Sequence, residues 1–486
     1  MKQTMIQYFQ WYTRADGFQY TRLKRQVAPL AKLGYSLVWM PPAYKGSSGK
    51  KDNGYAPYDL YDVGEFMQKG SVRTKYGNVR QYQAAIEACH KAGLSVIADI
   101  VFNHRMGGDE PETVRVVDVD WNDRCRILSK PYETELYTRY TFPGRKGKYS
   151  PFIWNQSCFK AADRISRKDH TILLFDGKKW SDNVSKELGN FDYIMGMDVD
   201  VSVDWVRQEL IDWGLWYTRR FEINGYRLDA IKSIEATFFP AWLYAMRSQT
   251  NASPFAVGEY WSASLEELKA YLRQARYSMR LFDVPLHYNL HHASMSNGNY
   301  DVRHLMDGTL SKDMPDYAVA FVDNHDTQPT QALESWVMDW FKTSAYALIL
   351  LGTCQVPCVF LGDVQGISKT KNPRVSLLNE MVWIRSNLLE GDYQDLCDED
   401  RQKACWITHG CHPVLILFTI GDGKTKSVHF EQYAGCRFTD ISRADHIVAI
   451  NENGDGMFDC AAGCCSIYIL EQDAEAMERA LSSIRL

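Results

Sequence analysis

Eight short apolar runs, most of them followed by a stretch with helical spacing, constrain this chain more than any other feature. They fall at residues 5–11, 36–40, 95–101, 226–228, 255–259, 279–283, 318–322 and 356–361. Most of them lack the in/out alternation of a half-solvated strand, so they read as strands covered on both faces, the signature of a parallel sheet with helices outside. Residues 23–33 carry helical spacing before Gly34 stops it, and Tyr82, Ile86 and Cys89 share one helical face. Val206, Leu210, Trp213 and Tyr217 follow at spacings of four, three and four. A helix is expected to start directly after the fourth run and to continue towards Gln249, and another to span 375–387. Eight strand–helix units close into a barrel, so the expected fold is α/β, a (β/α)8 TIM barrel.

Two stretches break that rhythm. Residues 105–192 are rich in Gly, Asp, Lys and Arg with short apolar bursts, too long for an ordinary loop and expected to form a β-rich inserted domain. After about residue 390 the pattern changes to alternating runs at 404–408, 414–419, 427–430, 446–450 and 464–470, separated by turn residues such as Asn453-Gly454 and Asp455-Gly456. The 486 residues therefore divide into a barrel built from 1–104 and 193–390, the insert 105–192, and a C-terminal β-sandwich-like domain over 391–486.

Composition narrows the partners. A net charge of −5 leaves no electrostatic footprint for nucleic acid or an anionic membrane, and no apolar run is long enough to span a bilayer. The 14 Trp and 28 Tyr exceed what packing an aliphatic core requires and supply flat faces suited to sugars. Twelve scattered cysteines, with no secretion signal at the start, point to a reducing cytoplasm. The close pairs Cys354/Cys358 and Cys460/Cys464 lack a second Cys/His pair at zinc spacing.

In such a barrel the polar residues at the C-terminal strand ends build the active site. The third run delivers Asp99, Asn103 and His104; the fourth Arg227, Asp229 and Lys232; the fifth Glu259; the seventh His325 and Asp326. Arg227 and Asp229 stand two apart and share a side. Three carboxylates on three strands, with two histidines and an arginine, are costly to crowd together for stability alone. Glycoside hydrolysis wants carboxylates in different protonation states. Asp229, beside Arg227, is expected to stay anionic and attack, and Glu259, against Val257, Tyr260 and Trp261, to be pushed up by desolvation and donate a proton. Asp326 would hold ring hydroxyls and favour the oxocarbenium-like transition state, while His104 and His325 would both donate to the same sugar.

Asp99-Ile-Val-Phe-Asn-His104, Gly225-Tyr-Arg-Leu-Asp-Ala-Ile-Lys232, Gly258-Glu-Tyr-Trp261 and Phe321-Val-Asp-Asn-His-Asp326 resemble the four sequence regions of the α-amylase family of glycoside hydrolases. Gln7-Tyr-Phe-Gln-Trp11, Gly64-Glu-Phe-Met-Gln-Lys-Gly70, Val72-Arg-Thr-Lys-Tyr-Gly77 and Thr141-Phe-Pro-Gly-Arg145 are similar to the bacterial cytoplasmic and liquefying members. The resemblance implies Asp229 as nucleophile, Glu259 as general acid/base and Asp326 as transition-state stabiliser. It implies Tyr55, His104, Arg227, Lys232, Trp261 and His325 as substrate-binding residues. It also implies Ca2+ between barrel and insert, with Asn103, Asp192 and Asp198 as side-chain ligands and Ser233, where the family usually has His, offering its carbonyl. Ser181 stands where the liquefying members place a carboxylate for a multi-metal cluster, although Asp163 and Asp200 are retained.

The implied activity is retaining endo-hydrolysis of internal α-1,4 bonds in an α-glucan or maltooligosaccharide, by a monomer. Maltodextrin transglycosylation or cyclomaltodextrin hydrolysis could use the same carboxylates, and a catalytically silent glucan-binding protein is the reading of a different class.

Overall fold

The computed structural model describes residues 2–165, 170–250, 253–443 and 445–484. Eight strands close into a parallel barrel in sequence order: β1 (Met5–Gln7), β2 (Leu37–Met40), β3 (Ser95–Ile100), β4 (Gly225–Leu228), β5 (Phe255–Gly258), β6 (Arg280–Phe282), β7 (Ala318–Phe321) and β8 (Pro357–Phe360), with β8 pairing back to β1. One set of side chains points inward, where Met5, Leu37, Trp39, Ile97, Val257, Phe282, Val319, Phe321 and Cys358 pack as a separate core. Their neighbours along the strands, including Ile6, Val38, Val96, Tyr226 and Leu281, point outward onto the helices. Both faces are therefore dry, which is why the runs do not alternate with polar residues. Removing each such side chain from water contributes roughly 1.5–3 kcal/mol.

Close packing also explains the glycine that opens β4. A Cβ on Gly225 would stand 2.5 Å from the Phe255 carbonyl and 2.6 Å from Ile97 Cδ1. The helix expected immediately after β4 does not form there. Ala230 adopts the left-handed conformation (φ 49°), a single 3-10 turn covers Ile231–Ser233, and the helix begins only at Phe238–Thr250. A non-glycine residue in that region is strained, and strain of this kind collects at functional sites. Elsewhere helix starts follow local chemistry: Asn78 accepts from Gln81 N while Gln81 Oε1 accepts from Asn78 N, a reciprocal cap on Val79–Lys91.

Between β3 and β4 the chain forms a six-stranded antiparallel sheet ordered His104–Arg105, Met197–Val199, Phe159–Ile165, His170–Phe175, Glu110–Val119, Tyr132–Arg139. Its first two strands belong to the chain entering and leaving the barrel, so the insert is tied in by main-chain hydrogen bonds as well as by side chains. Arg145, from the Thr141–Arg145 motif, donates to Asp59 Oδ2 at 2.9 Å with both groups buried, fastening the insert to the loop that carries Tyr55.

The C-terminal region is an antiparallel six-stranded sheet faced by the pair Lys424–His429 and Asp455–Cys460, with Ile407, Leu417, Phe430, Phe438, Phe458 and Tyr468 packed together. A helix, Glu471–Ser482, ends it and packs on the helix Leu378–Asn387. All twelve cysteines are free thiols. Among the described residues no helix is long and apolar enough to cross a membrane.

Candidate active site

Parallel pairing sets Arg227 of β4 directly opposite Asp99 of β3, so both side chains enter the barrel mouth together. Arg227 Nη1 donates to Asp99 Oδ1 at 2.9 Å and to Asp229 Oδ1 at 2.5 Å, and its Nη2 lies 2.8 Å from Glu259 Oε2. Trp39 Nε1 (2.9 Å) and Tyr55 OH (2.6 Å) donate to Asp99 Oδ2. Asp99 is thus the anchor of the cluster, and strand register alone could have assigned it that place. The strained Ala230 turn has a use here, since its backbone N–H donates to Glu259 Oε2 at 3.2 Å.

Tyr55, Asp229, Ala230 and Glu259 line a cavity of about 1050 Å³ at the C-terminal end of the barrel, together with His104, Asp326, Lys232, Ser233 and Trp261. Met195 and Leu333 at its rim are more than a third exposed, and Trp11 stacks on Tyr55 with centroids 6.2 Å apart. Tyr55 in turn stacks on His325 at 4.9 Å. Such a mouth pairs flat ring faces with a charged floor. Trp11, Met195 and Leu333 were not among the site residues expected from the sequence; Met195 and Leu333 are isolated apolar residues with no pattern to find them by, whereas Trp11 closes the Gln7–Trp11 motif.

Burial dominates the electrostatics. It pushes Asp229 up to about 6 even though Arg227 pulls the other way. It also raises Glu259, where Arg227 again opposes it and Asp229 adds to it, and it holds Asp326 well above the carboxylate range, with the Glu259 charge adding to the effect. The expected division, one carboxylate lowered by Arg227 and one raised by apolar neighbours, is therefore corrected: all three are raised, and Asp229 and Glu259 are gripped by the two terminal nitrogens of one guanidinium.

Burial pushes the pKa values of both histidines down and so favours their neutral forms. His104 Nε2 lies 2.8 Å from the Tyr55 carbonyl, which only accepts, so Nε2 carries the proton and the unpartnered Nδ1 is an acceptor. His325 Nδ1 receives the Gln7 amide at 2.9 Å, leaving its Nε2–H without a hydrogen-bond partner, 3.2 Å from Asp326 Oδ2. The expectation that both donate to one sugar thus gives way to one acceptor and one donor. Gln7 is a positioning residue that sequence reasoning quoted only within a motif. Lys232 does reach the rim, where it pairs with Glu187 Oε2 at 2.7 Å and donates to the Trp261 carbonyl at 3.1 Å, and Trp261 Nε1 meets Tyr288 OH at 3.2 Å.

Asn103, Asp192, Asp198 and Ser233 are all buried. Asn103 Oδ1 and Nδ2, Asp192 Oδ1, Asp198 Oδ2 and Ser233 Oγ have no hydrogen-bond partner. Asn103 sits beside Asp198, because its carbonyl accepts from Val199 N at 2.9 Å. Orphaned buried oxygens of this hard type suit a calcium ion. Among the described residues no group of three His, Cys, Asp or Glu side chains forms a metal cage.

Comparison with known proteins places this arrangement. The family described as "Alpha amylase, catalytic domain" matches residues 23–409. An α-amylase of Geobacillus stearothermophilus is 43% identical over 478 residues, covering 96% of this chain and 86% of that protein. A glucan 1,4-α-maltohexaosidase of Bacillus sp. (strain 707) is 41% identical over 96% of this chain and 92% of its own length. A cytoplasmic α-amylase of Escherichia coli (strain K12) is 37% identical over 96% and 99%. Among solved structures, an α-amylase from Geobacillus thermoleovorans complexed with acarbose superposes with a TM-score of 0.62 at 18% identity, covering 97% of this chain and 98% of that one. Wild-type α-amylase I from Eisenia fetida gives 0.65 at 16%, covering 96% of each. At that identity the structural likeness speaks for the fold, whereas the sequence relatives and the family match speak for kinship: the chain belongs to the α-amylase family of glycoside hydrolases.

Proposed function

We propose that this protein is a retaining, endo-acting α-amylase that hydrolyses internal α-1,4-glucosidic bonds of starch, glycogen or maltodextrins. The observation that carries the reading is the grip of one guanidinium on Asp229 and Glu259 at the floor of a wide, ring-lined cleft. Carboxylates held that close suit a nucleophile with an acid/base rather than a pair parted by a water molecule. Asp229 attacks the anomeric carbon as the bond to the leaving oxygen breaks, and Glu259 gives that oxygen its proton. The same Glu259 then takes a proton from water, which attacks the glucosyl–Asp229 ester and releases the sugar with retained configuration. Asp326 and the His325 Nε2–H engage the ring hydroxyls, His104 Nδ1 accepts from another, and Tyr55 stacks beneath the ring. Lys232 and Trp261 serve the leaving-side sugars.

Calcium belongs to the same proposal. Asn103, Asp192 and Asp198, with Ser233 offering its carbonyl, would hold it, and it would supply structural cross-linking of insert and barrel rather than chemistry. The domain limits 105–192 and 391–486 and a monomeric state complete the reading. A cytoplasmic location is supported by the free thiols and by the resemblance to a cytoplasmic relative.

The test is the product profile from a linear maltooligosaccharide blocked at its non-reducing end. Internal fragments with the α-configuration at the new reducing end are expected. Cleavage of only the unblocked chain means exo-action and sinks the endo reading, and products longer than the substrate indicate transfer.

A further inference from the structure

The junction between the insert and the barrel holds more acid than one metal ion explains, and the chain itself supplies the balance. Lys160, 2% exposed, projects into it from the strand Phe159–Ile165. Its Nζ donates to Asp192 Oδ2 at 2.6 Å and to Ser181 Oγ at 2.9 Å, and Ser181 N donates to the same carboxylate oxygen at 2.7 Å. By register Lys160 lies between Phe159, opposite Val199, and Ala161, opposite Asp198, so it enters the bulge beside Asp198. The remaining carboxylates are taken as well. Asp200 accepts from Lys178 Nζ at 2.7 Å and from Ser202 N and Oγ at 3.1 and 2.5 Å. Asp163 Oδ2 stands 3.2 Å from His170 Nε2. The buried oxygens left unpartnered are Asn103 Oδ1, Asp192 Oδ1, Asp198 Oδ2 and Ser233 Oγ.

We propose that Lys160 is a tethered cation, occupying covalently a position that a second metal ion would otherwise take, so that this junction binds a single divalent ion on the face bounded by Asn103, Asp192 and Asp198. This rests on the calcium reading above. A fixed ammonium on Asp192 repels a second cation there, and Ser181 offers it a hydroxyl instead of a further negative ligand. It also weakens the calcium site it adjoins. Removing its charge leaves an aspartate pair with uncompensated negative charge, which strengthens divalent binding and makes the metal-free fold depend on the ion.

The experiment is calorimetric titration of CaCl2 into chelator-stripped full-length protein, with metal analysis after gel filtration, on wild type and Lys160→Gln. Wild type is expected to bind one calcium per chain. Lys160→Gln is expected to bind calcium at least about tenfold more tightly, and to lose much more thermal stability than wild type when stripped. Two or more calcium ions in wild type, or unchanged affinity in Lys160→Gln, overturns the tethered cation while leaving the calcium reading standing. No calcium in wild type overturns the calcium reading itself, and the single position with it. Should Lys160→Gln fold only with calcium, release from preloaded protein is followed on adding chelator: slower release than wild type supports the proposal, and equal or faster release overturns it.

Discussion

Two buried clusters in the barrel share one design and reach opposite ends. At the mouth, Arg227 holds Asp99, Asp229 and Glu259. Behind β7 and β8, Lys342 lies 2.9 Å from Asp323 Oδ2 and contacts Asp363 Oδ1. In the second cluster every acceptor is filled: Thr327 Oγ1 (2.7 Å) and Val337 N (3.2 Å) donate to Asp323, Tyr346 OH (2.6 Å) donates to Asp363, and Trp336 covers the ammonium at 3.0 Å. In the first, Asp229 and Glu259 each keep an oxygen with no protein donor among the described residues, and both line the cleft. The single segment Phe321-Val-Asp-Asn-His-Asp326 feeds both clusters, sending Asp323 to the closed one and Asp326 to the open one. Density of charge is therefore common to both clusters; what sets the first apart is unfilled acceptors facing a cavity.

The contrast makes predictions of opposite sign. Asp229→Asn should lower kcat by roughly 10⁴–10⁶-fold, measured on a chromogenic maltooligosaccharide. Its effect on stability should be favourable. Burial holds Asp229 at about 6 against an ordinary 3.8, so its contribution to stability is complete below about pH 4 and is lost as pH rises through 6. The variant should therefore be more stable than wild type at pH 8, by up to roughly 3 kcal/mol, with no difference near pH 4 in urea unfolding. Wild-type kcat/KM should fall on the acid side as Asp229 is protonated around pH 6. A destabilised Asp229→Asn at pH 8 would erase the distinction between the clusters. Lys342→Met should do the reverse, costing about 3–5 kcal/mol by stranding two buried carboxyls, with kcat per folded molecule close to wild type. Loss of kcat in fully folded Lys342→Met would join the two clusters into one functional unit.

The eight barrel strands were legible because burial on both faces writes largely apolar runs, and the mouth was legible because the third, fourth, fifth and seventh of them carry charged or polar residues at or just past their ends. What remained hidden depended on partners distant in sequence. Asp323, assigned no role from the sequence, is accounted for only when Lys342, sixteen positions after Asp326, folds back onto it. Lys160 looks like a surface charge in a polar insert. The strand Arg437–Asp440 buries only Phe438 and Asp440, and the helix Glu471–Ser482 buries Asp473, Ala474 and Met477, too little pattern to stand out from turns. The first run also ends sooner than its residues suggest, at Gln7 rather than Trp11, because Gln7 and Phe9 are needed around His325.

A smaller effect tests whether the open cluster depends on tautomer control. Gln7 is buried, and its amide fixes which His325 nitrogen faces the cleft. Gln7→Leu frees the ring to take the other tautomer, so kcat should fall by about 10–100-fold. The Asp229 acid limb near pH 6 should not move. An acid limb displaced along with kcat would mean that Gln7 acts on the carboxylates instead.

The smallest effect concerns the rim, where charge is half solvated and pairs loosely. Lys232 Nζ meets Glu187, whose side chain is 52% exposed, so the pair itself should contribute less than about 1 kcal/mol to stability. Lys232→Met should therefore unfold like wild type while raising KM for long maltooligosaccharides by about 3–10-fold, with kcat held. If Lys232 and Trp261 bind leaving-side sugars as proposed, substrates too short to pass Glu259 on that side should show no change. Lys232 sits three residues beyond Asp229 on the same strained turn whose Ala230 N–H holds Glu259, so the alternative is specific: if kcat falls and KM stays, Lys232 steadies the acid/base through that turn and does not bind sugar. The KM-against-kcat split for long and short substrates thus decides whether the rim belongs to recognition or to the charge cluster beneath it.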